Sequence, residues 1–169
     1  MNRRYSLKKH AGFTLIELVI VITILGIIAG IGSKILNQAF TGYLDNKNLV
    51  EADWQARLAL ERMQRDVRAI RSPSDITTAT ATQLVFVDTT GNTITYALSG
   101  TTLNRQTNSN TTQALADGIQ SVTFSYYDQS GASTATLINI CYVKISLNVT
   151  LNNTNFTVTT AVYGRNLPW

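Results

Sequence analysis

The sequence predicts an α+β fold in which a long N-terminal α-helix packs on an antiparallel β-sheet. Three observations lead to this prediction. An apolar run follows a short basic segment, helical periodicity then continues as far as Pro73, and beyond residue 75 β-branched residues alternate with polar ones. The chain of 169 residues is long enough for one globular domain with additional length attached.

The excess positive charge of the chain is concentrated at its N-terminus. Four basic residues and no acid lie in the first twelve positions: Arg3, Arg4, Lys8 and Lys9. Subtracting these four from the 14 Lys and Arg residues leaves ten, which equals the 10 Asp and Glu residues, so residues 13–169 are formally neutral. The high isoelectric point therefore reflects the leader, and no nucleic-acid partner is inferred from it.

The apolar run after this basic segment is long enough to cross a membrane. Residues 18–33 are uncharged, and with residues 13–16 they form a helix of about 30 Å. We predict a hydrophobic helix over residues 13–34. Because basic residues stay on the cytoplasmic side, the chain is expected to cross the membrane once, with its N-terminus in the cytoplasm.

One acid, Glu17, lies inside this apolar run and separates two interpretations. An ordinary secretory signal peptide would be cut after the apolar segment, near the small residues before Ser33, but a deep acid opposes membrane insertion by a few kcal/mol. Cleavage between Gly12 and Phe13 would instead keep the apolar segment and create a new ammonium group at Phe13. That cation and Glu17 could neutralise each other, within one chain or between neighbouring subunits.

The stretch "KKHAGFTLIELVIVITILGII", residues 8–28, resembles the prepilin leader of type IV pilins and pseudopilins. The resemblance implies the type IV pilin fold and cleavage after Gly12 by a prepilin peptidase, which also N-methylates Phe13. It also implies that Glu17 pairs with the N-terminus of an adjacent subunit during assembly. The implied partners are this peptidase, other pilins or pseudopilins, the inner-membrane assembly platform and the lipid of that membrane.

Two glycines in the apolar run, Gly26 and Gly30, have the small-xxx-small spacing that lets helices approach closely in lipid. Such helix packing is one interpretation. The general abundance of glycine in membrane helices explains the pattern equally well.

Residues 35–71 are expected to form the amphipathic second half of the helix, which ends before the sequence Ser-Pro-Ser at 72–74. Two apolar sets have helical spacing. The first set is Leu36, Phe40, Tyr43, Val50, Trp54 and Leu58, and the second is Leu60, Met63, Val67 and Ile70. We expect the aromatic members, Tyr43 and Trp54, to pack against the strands. The five arginines between residues 57 and 71 alternate with acids, which favours a solvated helix face over a polyanion site.

Residues 75–169 are expected to form a β-rich globular domain. The predicted strands are "QLVFVD", "NTITYA", "GIQSVTFSYYD", "INICYVKISLNVTL" and "NFTVTTAVYG". A hairpin is predicted at Thr89–Gly91 and another at Asn152–Asn153, whereas the polar stretch 105–118 is predicted to be a loop. Asp128 and Gly131 favour a turn over a calcium loop, because too few acids surround them. Cys141, the single cysteine, is expected to be a buried core residue without a disulfide partner.

No pattern in the sequence indicates an enzyme, a metal site or a cofactor. The single histidine, His10, lies in the predicted leader of residues 1–12. Phosphate-loop, nucleophile-elbow and zinc-cysteine patterns are absent from the sequence. Asp88, Asp117 and Asp128 are isolated carboxylates with no sign that they converge. We therefore predict a structural protein.

The stretch from Asn37 to Ile70, with "VTFSYYDQSG" and "AVYGRN" further on, is similar to minor pilins of the PilW and MSHA O-type group and to the J-type minor pseudopilin. The resemblance implies a minor pilin that initiates or caps a type IV pilus like the mannose-sensitive haemagglutinin (MSHA) pilus. It places the protein in the bacterial inner membrane, with its C-terminal domain in the periplasm, and then in the pilus. A J-type minor pseudopilin of a type II secretion system is the alternative within this group. An adhesin secreted by an ordinary signal peptide is the alternative outside it.

Overall fold

The computed structural model describes residues 12–108, 110, 112–151 and 154–168. One α-helix and two antiparallel sheets occur in these residues, which confirms the predicted α+β class. The helix, α1, spans Leu15–Arg68. The chain divides into two compact units, one up to Leu44 and one from Asp45 onward, and all buried core residues belong to the second.

Helix α1 ends at Arg68, three residues before the expected end at Arg71. The N–H groups of Ala69 and Ile70 form tighter bonds, to residues three positions back, and Ile70 makes a β-bridge with Asp88. A short 3₁₀ turn follows at Pro73–Asp75, with the Ser72 hydroxyl accepting the Ser74 N–H at 3.4 Å. Pro73 therefore begins a new element instead of ending the long helix.

The first sheet has five strands in the order β1-β2-β3-β4-β5, all antiparallel. They are β1 Ile76–Ala79, β2 Gln83–Val87, β3 Thr93–Ser99, β4 Thr102–Thr107 and β5 Gln113–Ala116. The predicted strands β2 and β3 are present. The loop predicted at 105–118 is wrong, because β4 extends to Thr107 and β5 lies within that stretch.

The second sheet has three antiparallel strands in the order β6-β7-β8. They are β6 Ile119–Tyr127, β7 Tyr142–Leu151 and β8 Thr154–Tyr163. The alternation predicted for β7 is confirmed. Val143 is buried and Lys144 is exposed, and buried residues continue to alternate with more exposed ones as far as Val149. The predicted start of this strand at residue 138 is wrong, because Leu137–Asn139 forms a 3₁₀ turn. The turn predicted at Asn152–Asn153 lies outside the described residues.

Two hairpin loops share one local design, in which an aspartate precedes Ser or Thr by two positions and Gly by three. Oδ1 of Asp128 accepts the N–H of Ser130 at 2.9 Å and that of Ala132 at 3.0 Å, and Asp88 binds the equivalent residues of its own loop. Gly131 has a φ of 81°, a value that glycine adopts readily. The hydrogen bond from the Ser130 hydroxyl contributes most to lowering the pKa of Asp128. The region is a turn, as the sequence predicts.

Only one of the two predicted apolar sets of α1 enters the core. Tyr43 and Trp54 are 65% and 67% exposed, so the prediction that they pack against the strands is wrong. The core contacts of α1 come from a face with smaller side chains: Ala56, Ala59, Leu60, Met63 and Val67. Because two of these residues are alanines, the helix backbone can approach the sheets closely. The second apolar set is thus buried, while the first remains outside the core.

A buried polar cluster connects α1 to the five-stranded sheet. Oδ2 of Asp66 accepts hydrogen bonds from the Tyr96 hydroxyl and from Nε of Arg105, each at 2.6 Å. Arg105 also donates to the Thr107 hydroxyl at 2.5 Å, and its exposure is only 8%. Burial, together with the charge of Asp66, raises the pKa of Tyr96, so its hydroxyl remains a donor at neutral pH. The cluster satisfies its buried charges internally.

Candidate functional site

The side chains in the N-terminal part of α1 are not buried by any described part of the chain. All residues from Gly12 to Thr41 are exposed, and the large apolar side chains from Leu15 to Leu36 are 42–82% exposed. An 18-residue window of this helix reaches a mean hydropathy of 2.7, so by length and composition it can cross a bilayer. Each such side chain would gain about 1.5–3 kcal/mol on leaving water, so this segment needs lipid or other protein around it.

The predicted cleavage position lies just before the helix. Gly12 and Phe13 precede the first turn, and Phe13 is 79% exposed. Thr14 caps the helix, because its carbonyl accepts the N–H of Leu18 at 3.2 Å and its hydroxyl accepts the N–H of Glu17 at 3.3 Å. Phe13 is therefore the residue immediately before the cap.

Glu17 occupies the third position of the helix, where a carboxylate interacts favourably with the positive end of the helix dipole. Thr14 and Glu17 have the T-x-x-E spacing of a capping box. This signal was present in the sequence and was missed. Among the described residues, the carboxylate of Glu17 has no hydrogen bond or ion pair. Its negative charge is therefore available to a group outside the described chain.

Gly26 and Gly30 lie on the same exposed part of the helix. A Cβ atom built on either of them would meet nothing within 4 Å. Contacts within the chain therefore do not explain why these positions are glycine. The two residues leave the backbone open to close approach by another helix.

The isolated carboxylates in the β-rich region accept hydrogen bonds from nearby residues of the same domain. Asp88 and Asp128 hold the two hairpin loops, and Asp117 accepts the Thr102 hydroxyl at 2.7 Å. Within the described part of the chain, no group of three or more His, Cys, Asp or Glu side chains could hold a metal ion. Cys141 is buried, as expected. The N-terminal segment thus remains the candidate functional site.

Comparison with known families gives a match on this segment. A family profile described as "Prokaryotic N-terminal methylation motif" matches residues 7–33. This match supports a type IV pilin-like protein. The pilin motif implies a substrate of a prepilin peptidase that assembles with other pilins, and together with the apolar helix it fits a membrane-anchored pilin. No curated protein matches the chain significantly.

Proposed function

We propose that this chain is a minor pilin that initiates or caps assembly of an MSHA-like type IV pilus. The observation that supports the proposal most is the methylation motif, which covers Gly12, Phe13 and Glu17. The exposed apolar helix that follows is a second support, because such a segment must exchange one apolar environment for another during assembly. The protein then serves as a structural subunit.

In this proposal each residue of the N-terminal segment has one role. The peptidase cuts the bond between Gly12 and Phe13 and methylates the new amine of Phe13. Glu17 then pairs with the N-terminal amine of a neighbouring subunit, which compensates a charge that would cost about 2.5–3.5 kcal/mol alone in lipid. Gly26 and Gly30 allow close contact between neighbouring helices.

The proposed location follows from the same segment. Basic residues ahead of Gly12 keep the leader in the cytoplasm, and the β-rich domain lies in the periplasm. The protein waits in the inner membrane until the assembly platform and other pilins take it into the filament.

The experiment that tests the proposal is mass spectrometry of the mature N-terminus. The protein isolated from its host is expected to begin at Phe13 and to be heavier than the unmodified chain by one methylene unit. Gly12→Leu is expected to leave the full-length precursor uncut, because a bulky side chain obstructs the peptidase. Gly32→Leu is the matched control and is expected to be cut normally, since Gly32 lies in open space within the helix.

A mature chain that begins near Ser33 would overturn the proposal and favour a secreted adhesin. The J-type pseudopilin alternative gives the same N-terminus and is distinguished by the phenotype of a deletion. Loss of surface pili supports the minor pilin, whereas loss of protein secretion with pili intact supports the pseudopilin.

A further inference from the structure

A small basic recess lies at the C-terminal end of α1, far along the chain from the proposed processing site. Its volume is about 220 Å³, and it is lined by the end of α1 and by two segments that follow it in the chain. Its lining residues are Arg65, Arg68, Ala69, Thr89, Arg165 and Asn166. The recess thus brings three arginines together, although residues 13–169 as a whole are formally neutral.

Three hydrogen bonds to backbone carbonyls fix these segments around the helix end. The N–H of Arg165 donates to Arg68 at 3.4 Å, the N–H of Thr89 donates to Ala69 at 2.8 Å, and Nδ2 of Asn166 donates to Ile70 at 3.0 Å. These donors already bond the backbone carbonyls around the helix end. Within the described residues, no hydrogen bond uses the guanidinium group of Arg68 or Arg165.

Neither of these two guanidinium groups has an acidic partner among the described residues. Arg65 is only loosely paired, since its nearest contact with Glu61 is 3.5 Å long and both side chains are about 60% exposed. Two other acids nearby are already engaged. Asp66 binds the buried Arg105, and Asp88 holds its own hairpin loop. The positive charge of the recess is therefore not neutralised by these acids.

We propose that this recess binds a phosphate group, with Arg68 and Arg165 as its main ligands. A guanidinium group presents a planar fork that binds two oxygens of an oxyanion. Two such forks can together contact separate pairs of oxygens on a tetrahedral phosphate group. The Thr89 hydroxyl and the Asn166 amide belong to the same lining and offer further polar contacts. The small volume suits an ion-sized group, since pockets for larger ligands exceed about 300 Å³.

The test is isothermal titration of the full chain, in non-ionic detergent at constant ionic strength, with inorganic phosphate at about pH 8, where phosphate is mainly a dianion. Saturable binding of one phosphate per chain is expected. Arg68→Gln and Arg165→Gln are each expected to weaken it by about tenfold or more, because each removes a charge-assisted contact. Arg68→Lys keeps the charge but loses the fork, so an intermediate affinity is expected.

Arg57→Gln is the matched control. It removes the same charge from the same helix, but Arg57 pairs with Asp53 at 2.8 Å and does not line the recess. Its affinity for phosphate is expected to be unchanged. A parallel titration with dimethyl phosphate distinguishes which kind of phosphate compound the recess accepts. Binding of both compounds indicates a phosphodiester. Binding of inorganic phosphate alone indicates a free phosphate or a phosphate monoester.

Two results would overturn the proposal. One is the absence of saturable binding of phosphate up to tens of millimolar, well above the range of a specific site. The other is equal weakening by Arg57→Gln, which would indicate a general effect of net charge. The three arginines that are changed have exposed side chains, so each variant is expected to retain the fold. Thermal unfolding of each variant checks this.

Discussion

At the scale of single residues, Glu17 has an observed structural role and a proposed role in assembly. Its backbone N–H completes the cap of α1 with the Thr14 hydroxyl, whereas its carboxylate is left without a partner in the described chain. The first function is local and was readable from the T-x-x-E spacing. The second is the proposed pairing with the N-terminal amine of a neighbouring subunit. In this proposal, the same residues begin the helix and make an assembly contact.

Glu17→Ala is expected to prevent incorporation into filaments while leaving membrane insertion and cleavage largely intact. The substitution retains the backbone N–H that Thr14 caps, so the helix still starts at the same place. It removes only the negative charge that a neighbouring amine would neutralise. Immunoblots of membrane and sheared filament fractions measure the distribution, and Glu51→Ala, at another exposed acid of α1, is the control. Normal incorporation of Glu17→Ala would remove the pairing argument.

At the scale of elements, the sequence predicted strands with regular apolar alternation and missed those with polar side chains. β6, β7 and β8 follow the period of two clearly, whereas β4 carries Arg105 at a buried position and therefore reads as a loop. Its charge is compensated by Asp66, 39 positions earlier, and a local pattern cannot show this pairing.

The choice of helix face shows the same limit. Trp54 and Leu58 are larger and more apolar than Ala56 and Ala59, so hydrophobicity alone selects the wrong residues in this part of α1, although the second apolar set is buried. Which face is buried depends on how closely the helix approaches the sheet, and small residues permit the closer contact. The position of Arg165 beside the end of α1 could not be predicted for a related reason, since only the folded chain brings it there.

Asp66→Asn is expected to reduce the free energy of unfolding by about 3 kcal/mol, because it leaves the buried guanidinium of Arg105 without a counter-charge. The exposed pair of Asp53 and Arg57 provides the control. Asp53→Asn is expected to cost less than about 1 kcal/mol. Urea unfolding monitored by circular dichroism gives both values. Equal losses in the two variants would show that the buried cluster does not join the helix to the sheet as described.

At the scale of the whole molecule, the chain separates a part that folds around its own core from a part that has none. The buried core begins at Ala56 and ends at Leu167, whereas the side chains of residues 12–41 are all exposed. The sequence predicts a hydrophobic helix over residues 13–34 followed by an amphipathic half over residues 35–71. It did not predict the division of the strands between two sheets, which depends on pairings over long distances in the chain.

A fragment that begins at Asp45 is expected to be soluble and to unfold in one cooperative transition, because it retains every buried core residue. A shorter fragment that begins at Leu60 lacks Ala56 and Ala59 and is expected to be markedly less stable. Thermal unfolding of the two fragments, followed by circular dichroism, makes the comparison. An unfolded or aggregated longer fragment would show that the apolar segment is required for folding.

The burial of Cys141 has a practical consequence. It is the single cysteine of the chain and is only 5% exposed, so thiol-reactive dyes will reach it slowly while the protein is native. A second cysteine placed on the surface will consequently accept a fluorophore or spin label selectively, without removal of the native thiol.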